Sequence, residues 1–496
     1  MGQEVRETTF TREDRQRYRA KVRRCLDVLE RMLAENQFDF DDPLTGMEIE
    51  LNLVDDDGTP TMRNAEILAL IDDPAFQPEL GRFNLEINIP PRSLRGDAMV
   101  GLESDVRSQL NAAQAKARGA GAGLVMIGIL PTLMPDHVTH EALSNNPRYA
   151  LLNDQILAAR GEDLHLSIEG VDADEDLDTY TDTIGPEAAC TSLQLHVQVS
   201  PEDFAAHWNA AQVLAGVQIA LGANSPYFLG KELWRESRIA VFTQATDTRS
   251  VELTAQGVRP RVWFGERYIT SVFDLFEENL RYFPALLPVV DDEDPVEVLE
   301  SGGTPSLAEL RLHNGTVYRW NRPVYDVVAG RPHLRVENRV LPAGPTVVDV
   351  LANAAFYYGA LRVLAEGDRP IWSQMSFQAA ADNFTSGATR GIDAEVFWPG
   401  YGEVPVTELV LRRLLPLAHE GLERWGVDAE VRDRLLGVVE RRCTSARNGA
   451  SWQADRVRAL QKSGLDRIGA LKQMTHEYAV LMHDNVPVHS WPAEGV

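Results

Sequence analysis

Cysteine is scarce in this sequence of 496 residues, which contains only Cys25, Cys190 and Cys443. Their spacing matches neither a metal knuckle nor a redox pair, and three cysteines are too few for a disulfide framework. We therefore expect a reducing, cytoplasmic location, because proteins of the cytosol rarely keep disulfides.

Long apolar runs and concentrated basic charge are missing as well. No window reaches about 18 uninterrupted apolar residues, so no membrane span is predicted. The first residues, MGQEVRETTFTREDRQRYRAK, lack the apolar core of a signal peptide. The 48 Lys and Arg residues are outnumbered by 74 Asp and Glu residues, which gives a net charge of −26. Without a basic run, neither nucleic acid nor an anionic membrane is expected as a partner.

The length and the pattern of elements predict the organisation of the chain. A sequence this long exceeds the size at which one core usually stops growing, so one large or two domains are expected. Strands separated by helical inserts of uneven length favour an α+β fold over a regular βαβ repeat. We predict a mixed domain over residues 1–400 and a C-terminal helical segment over residues 401–496 that packs on it.

Four predicted strands place an apolar face opposite a face of charged and amide groups, since successive side chains of a strand alternate. Any half-exposed strand alternates in this way. However, Asn and Asp, and to a lesser degree Glu, are disfavoured in strands, so their recurrence at the centre of four strands indicates a site. The four polar faces comprise Glu48, Glu50 and Asn52; Arg82, Asn84, Glu86 and Asn88; Gln194, His196 and Gln198; and His333, Arg335, Glu337 and Arg339.

If these strands join one sheet, Glu48, Glu50, Glu86 and Glu337 face a common volume. Two unit charges about 4 Å apart repel by about 4 kcal/mol at an effective dielectric constant of about 20. Protons or cations must therefore neutralise the group. Carboxylate oxygens with one imidazole, that of His196, suit Mg²⁺ or Mn²⁺ better than zinc.

Arginine side chains on the same face extend this prediction to a nucleotide. Arg335 and Arg339 can form bidentate contacts with phosphate. Carboxylates, divalent ions and guanidinium groups together are typical of a nucleoside triphosphate site. Such a site needs no glycine-rich loop, and the sequence contains neither a GxxxxGKS/T motif nor a dinucleotide-binding fingerprint after a strand.

Five segments in this order resemble the glutamate–cysteine ligase family of carboxylate–amine ligases: GMEIELNLVD, FNLEINIPP, LQLHVQV, ANSPYFLG and HLRVENRVLP. The resemblance covers about residues 44–350, and RNGASWQ (Arg447–Gln453) is similar to a further family segment to which we assign no chemistry. It implies the fold of the glutamine synthetase catalytic domain and of guanidino kinases. In that fold a curved, mainly antiparallel sheet forms an active-site funnel, with helices packed outside.

The resemblance also implies roles for individual residues of the catalytic domain. The implied metal ligands are Glu48, Glu50, Glu86, His196 and Glu337, and the implied nucleotide contacts are Arg335, Arg339 and Gln198. The implied catalytic residues are Arg339 and Arg238, and the implied substrate contacts are Arg82, Arg148, Tyr149 and Arg238. Gln198 departs from the pattern, because many relatives carry histidine there and an amide is neither an anionic nor an imidazole ligand.

The implied reaction joins a small-molecule carboxylate, favoured to be that of glutamate, to an amine through an acyl phosphate, with ATP and Mg²⁺ (or Mn²⁺). Because an acyl phosphate hydrolyses in water, a covering loop is expected, and Val171–Glu187 and Gly230–Ser237 are the candidates. Two alternatives stay open: a kinase of the same fold that phosphorylates a guanidinium or a carboxylate, and a regulatory protein that binds ATP without turnover. The sequence indicates neither the amine nor the oligomeric state.

Overall fold

A computed structural model of the chain describes residues 9–35, 38, 40 and 43–492. The α-helices in these residues are α1 (Arg12–Ala34), α2 (Asn64–Ile71), α3 (Ala98–Gly119), α4 (Pro147–Arg160), α5 (Gly185–Ala188), α6 (Phe204–Gly222), α7 (Ser237–Ala245), α8 (Val251–Ala255), α9 (Val272–Tyr282), α10 (Pro295–Glu300), α11 (Ala308–Asn314), α12 (Val347–Ala365), α13 (Phe377–Arg390), α14 (Val406–Leu409), α15 (Leu415–Arg424), α16 (Ala429–Ser445), α17 (Gly449–Lys462) and α18 (Arg467–Asp484). A π-helical segment, Val410–Leu414, joins α14 to α15.

The strands are β1 (Thr45–Val54), β2 (Phe76–Pro78), β3 (Asn84–Arg92), β4 (Gly123–Val125), β5 (Leu164–Ile168), β6 (Leu177–Thr181), β7 (Ser192–Gln198), β8 (Tyr227–Phe228), β9 (Lys231–Glu232), β10 (Val262–Trp263), β11 (Tyr318–Arg319), β12 (Asn321–Val328), β13 (Arg331–Pro342), β14 (Glu395–Trp398) and β15 (Gly402–Pro405). Short 3₁₀ turns lie at Pro135–His137, His140–Ala142, Ile371–Ser373, Gly391–Asp393 and Val488–Ser490.

The centre of the molecule is a curled sheet of seven antiparallel strands, in the order β12-β13-β7-β1-β3-β2, with β4 paired to β1. The four strands with charged faces are β1, β3, β7 and β13, and they are neighbours in this sheet. The predicted α+β class and the predicted curved antiparallel sheet are thereby confirmed.

The alternation of these strands separates a core face from a site face. Ile49, Leu85, Leu195 and Val336 are fully buried on the apolar face. Behind this face lie α6 and α12, which contact β13 and β7. Both helices are buried nearly all round, as expected for helices enclosed by other elements rather than lying on a surface.

Among the described residues, one helix, α12, is long and apolar enough to cross a membrane, judged by length and composition alone. Its most apolar stretch is 89% buried inside the protein. Burial by protein is the condition of a core helix in a globular fold.

The C-terminal helices pack on the rest of the chain along its core helices. Both α15 and α16 contact α12, whereas α18 contacts α17 and the edge strand β4. A buried ion pair of 2.9 Å joins Arg442 of α16 to Asp349 of α12. The division at residue 400 itself stays a prediction.

Two local predictions are wrong. The acidic stretch 171–187 is not a loop throughout, because β6 within it pairs with β5 and α5 follows. In addition, β3 begins only at Asn84, so Arg82 does not belong to its polar face. The Arg82 side chain is exposed and donates to the carbonyl of Glu141 at 3.3 Å, since the chain turns at this point and its strand partners begin two residues later.

Candidate active site

Antiparallel register brings the acidic side chains of β1 and β3 together. Glu50 lies directly opposite Glu86, and Glu48 lies opposite Asn88. On the other side of β1, Glu48 is opposite Gln194 of β7. Directly opposite residues have neighbouring side chains on one face, so the sheet itself collects the carboxylates.

The carboxylate of Glu79 joins those of Glu50 and Glu86, and we call these three residues the three-carboxylate group. Glu79 immediately follows the short strand β2, which pairs with β3 at the height of Glu86. One carboxylate oxygen from each of Glu50, Glu79 and Glu86 lies within 4.8 Å of the others. Three oxygens this close offer one ion a shared set of ligands.

The three carboxylates disfavour one another's charged forms. Burial, followed by the carboxylates of Glu48 and Glu50, raises the pKa of Glu86 to about 7. Burial and the carboxylates of Glu86 and Glu50 raise the pKa of Glu79 well above its ordinary value. Burial also raises the pKa of Glu50, although its oxygens accept from the Ser192 amide at 2.6 Å and from Gln194 at 2.9 Å. A divalent ion would relieve all three, and an all-oxygen donor set fits Mg²⁺ or Mn²⁺.

A second cluster, of ion pairs, continues along the same face. Nε2 of His196 lies 3.2 Å from Oε1 of Glu48, while Nδ1 of His196 accepts from Nε of Arg335 at 3.1 Å. Although burial raises the pKa of Glu48, the close contact with His196 outweighs burial and lowers that pKa to about 2.

Glu337 forms ion pairs with arginines and does not belong to the three-carboxylate group. It is 2% exposed, and its oxygens lie 2.8 Å from Arg322 and 2.6 Å from Arg339. Burial raises the pKa of Glu337, but the two guanidinium groups outweigh burial and hold it well below the ordinary value. Arg339 also donates to the side-chain oxygen of Gln194 at 2.9 Å.

Arg238 lies beneath β13. The side chain is 3% exposed, and Nε donates to Glu236 at 3.0 Å. Its other nitrogens donate to the backbone carbonyls of Arg339 and Val340. Arg238 thus supports the backbone that carries Arg339, and the predicted substrate contact would require it to leave these partners.

The remaining predicted residues lie around the two clusters. Burial, followed by the charge of Glu79, raises the pKa of Tyr149. Arg148 precedes it in the first turn of α4. Gln198 is opposite Arg335 at the far end of the face, and its side chain accepts from the Leu44 amide at 3.1 Å.

A cavity of about 70 Å³ lies beside the carboxylates, and its wall includes Glu50, Glu79, Arg339 and Glu187. Burial raises the pKa of Glu187 to about 8. Its Oε2 atom is buried and has no hydrogen-bond partner among the described residues. Neither Glu79 nor Glu187 is among the predicted site residues, because one follows a strand of three residues and the other lies in a single helical turn.

The two predicted covering segments contact each other. The amide of Val171 donates to the Glu232 carbonyl at 3.0 Å, and the amide of Glu232 donates to Glu175 at 2.8 Å. Lys231 donates to the carbonyl of Asp174 at 2.6 Å. Their action as covers stays a prediction.

This fold is found in solved ligase structures. Glutamate–cysteine ligase from Francisella tularensis, solved in complex with AMP, aligns with 92% of this chain and 97% of its own, at a TM-score of 0.53 and 12% identity. A bifunctional glutathione synthetase from Pasteurella multocida aligns with 92% of this chain and 55% of its own, at a TM-score of 0.52 and 14% identity. No individual curated protein matches the chain.

The family follows from the sequence profile. The chain belongs to glutamate-cysteine ligase family 2 (GCS2), whose family model matches residues 44–468. It is therefore an ATP-dependent ligase that forms carbon–nitrogen bonds. This membership confirms the resemblance predicted from the five segments and decides for the ligase over the kinase and the regulatory protein.

Proposed function

We propose that the protein joins the carboxylate of an amino acid to an amine through an acyl phosphate, with ATP as phosphoryl donor and Mg²⁺ (or Mn²⁺) as the ion. The observation that carries this proposal is the three-carboxylate group beside Arg339. Glu50, Glu79 and Glu86 offer oxygen ligands to a divalent ion, which neutralises charge on a nucleotide's phosphates. Family membership favours a γ-glutamyl-type product, with glutamate as the acid.

The reaction has two steps. An oxygen of the substrate carboxylate attacks the γ-phosphorus of ATP, and ADP leaves. The amine nitrogen then attacks the acyl carbon, phosphate leaves, and the nitrogen loses one proton. The protein contributes by holding the reacting oxygens in line and by stabilising charge on the transferring group.

Individual residues divide this work. Arg339, fixed by Glu337 and Gln194, holds the transferring phosphoryl group, and Arg238 positions it from behind. The nucleotide side of the face is formed by Glu48, His196, Glu337, Arg335 and Gln198. These residues also provide the place for a further ion.

On the substrate side, the proposed contacts are Arg148 and Tyr149, in the first turn of α4, and the exposed Arg82. Segments 171–187 and 230–237 cover the site and exclude water from the acyl phosphate. The three cysteines are free thiols, which fits a reducing cytoplasm.

The proposal is tested by incubating the purified protein with ATP, Mg²⁺ and pairs of amino acids and amines. ADP release is measured together with the mass of the product. An amide with ADP and phosphate supports the proposal, whereas a stable phosphorylated product without phosphate release would show kinase chemistry instead.

Glu79→Gln tests the metal group directly. Because glutamine keeps the shape but removes one anionic ligand, we expect ATP turnover to fall about 100-fold or more, with weaker Mg²⁺ binding in calorimetry. Glu66→Gln is the matched control, since Glu66 is an exposed carboxylate of α2 paired with Arg63. Unchanged turnover and Mg²⁺ affinity in a folded Glu79→Gln variant would remove Glu79 from the site.

A further inference from the structure

A second concave site lies where helix α1 meets the end of α9. It is a cavity of about 400 Å³, which we call the arginine groove. Four arginines line it: Arg15, Arg19 and Arg23 of α1, and Arg281 of α9. It shares no lining residue with the cavity at the carboxylates.

Outside this groove, the basic side chains of α1 other than Arg12 lie within 4.0 Å of a carboxylate. Arg17, Lys21 and Arg24 each lie within 4.0 Å of a carboxylate. In contrast, Arg19 and Arg23 have neither an ion pair nor a hydrogen bond with any part of the chain that the structure describes. Both side chains are exposed, so they remain available to a ligand.

The other two arginines leave the groove positive. Arg15 donates to neutral groups, the carbonyl of Ala285 at 3.1 Å and the side-chain oxygen of Gln155 at 2.7 Å. Arg281 pairs with Glu277 one turn earlier on its own helix, at 3.1 Å. That is one carboxylate against four guanidinium groups, in a protein whose net charge is −26.

This arrangement costs the helix stability unless an anion offsets it. Arg15, Arg19 and Arg23 are spaced four residues apart and therefore share one helix face. Like charges at this spacing destabilise a helix. An anion in the groove would turn this repulsion into charge-assisted hydrogen bonds.

The remaining walls combine aliphatic and aromatic side chains. Tyr18 and Phe283 are buried beneath the groove, and Tyr282 lies exposed at its edge. His313 adds no charge, because burial lowers its pKa to about 4. A volume of about 400 Å³ is within the range of small-molecule sites, about 300–1,000 Å³.

We propose that the arginine groove binds a small molecule that carries two or more phosphate charges, at a site separate from the ligase centre. Guanidinium groups from two helices can hold a diphosphate between them. One wall, α1, lies outside the residues 44–468 matched by the family model.

The test is calorimetric titration of the full chain with inorganic pyrophosphate and, separately, with ADP, in EDTA. Without a divalent ion the carboxylates of the ligase centre repel both probes, whereas the groove needs no metal. We expect saturable binding that weakens as salt is added. Tighter binding of ADP would identify a nucleotide as the ligand, and equal affinities would identify the diphosphate group alone.

Substitutions locate the binding. Arg19→Gln with Arg23→Gln is expected to weaken pyrophosphate binding about 100-fold, about tenfold for each lost charge-assisted contact. Arg281→Gln, from the opposite wall, should weaken it about tenfold. Arg12→Gln is the matched control, an exposed arginine of α1 that does not line the groove, and it should bind as the wild type does.

Two results would overturn the proposal: no saturable binding of either probe to the wild type, or equal affinity in the wild type and the folded double variant. Ligase turnover does not enter the measurement. The outcome is therefore independent of the proposed function.

Discussion

Among the carboxylates of the ligase cavity, Glu187 stands apart in its contacts. Glu50 accepts two hydrogen bonds and Glu86 accepts one from Asn88 at 2.7 Å. Oε2 of Glu187 has no partner among the described residues. A buried, unpaired oxygen disfavours the charged form, so protonation of this one side chain affects the stability of the fold.

Glu187→Gln is expected to change how stability depends on pH. Burial raises the pKa of Glu187 from 4.5 to about 8, so the folded protein binds this proton more tightly than the unfolded chain does. The contribution is complete below about pH 4.5 and is lost as the pH rises through about 8. Over this window the Tm of the wild type should fall relative to that of the variant. Parallel Tm curves for the two proteins would contradict this account.

At the scale of residues, the sequence predicts side chains that belong to regular patterns. Glu48, Glu50 and Glu86 alternate within strands long enough to be recognised, and the structure brings them to one face. Glu79 and Glu187 share no such pattern, and only contacts with distant strands bring them to the cavity. The pairing of Glu337 with Arg322 likewise depends on the register of β12 against β13.

At the scale of elements, two helices behind the sheet approach until their backbones touch. Gly359 of α12 and Gly421 of α15 face each other, and a Cβ atom on either would overlap the backbone of the other helix. Glycine is therefore required at this crossing for space, although it weakens a helix interior by about 0.5–1 kcal/mol relative to alanine.

Gly421→Ala is expected to lower the free energy of unfolding by about 3 kcal/mol, at the upper end of overpacking effects. The matched control is Gly437→Ala, also inside a helix. There a Cβ would meet only the flexible end of Arg441, so a gain of about 0.5–1 kcal/mol is expected. Chemical denaturation measures both. A Gly421→Ala variant as stable as the wild type would show that the two helices can separate at no cost.

Another contact between elements explains the segment RNGASWQ. Asn448 donates to the Ala220 carbonyl at 3.0 Å, and Gln453 donates to the side chain of Asn224 at 2.9 Å. Gly449 lies against Asn224 with no room for a Cβ. RNGASWQ thus docks on the ANSPYFLG segment, and its role in the described structure is packing.

At the scale of the whole molecule, residues 401–496 are joined to the rest by buried polar contacts. Arg442, 1% exposed, donates to Asp349 and Asn353 of α12. Tyr478 donates to the Met126 carbonyl at 2.7 Å and accepts from Asn224 at 2.8 Å. Breaking a buried ion pair by removing one partner costs about 3–5 kcal/mol.

A chain truncated after residue 400 is therefore expected not to fold. It would leave Asp349 without Arg442 and expose the apolar surface of α12. Circular dichroism and size-exclusion chromatography, with the full chain as reference, should show a loss of cooperative unfolding and aggregation. A soluble truncated chain that unfolds cooperatively would establish residues 1–400 as an independent domain.

The sequence by itself determined the alternating strands, the acidic and basic residues on them and the family. Each of these can be recognised from continuous segments of the chain, without knowledge of how the segments meet. Only the tertiary structure decided which charges meet. It joined Glu79 to Glu50 and Glu86, paired Glu337 with two arginines, and left Arg19 and Arg23 of α1 without a carboxylate partner among the described residues. The physical reason is that charge interactions depend on distances of a few ångströms, and folding sets these distances between residues far apart in the chain.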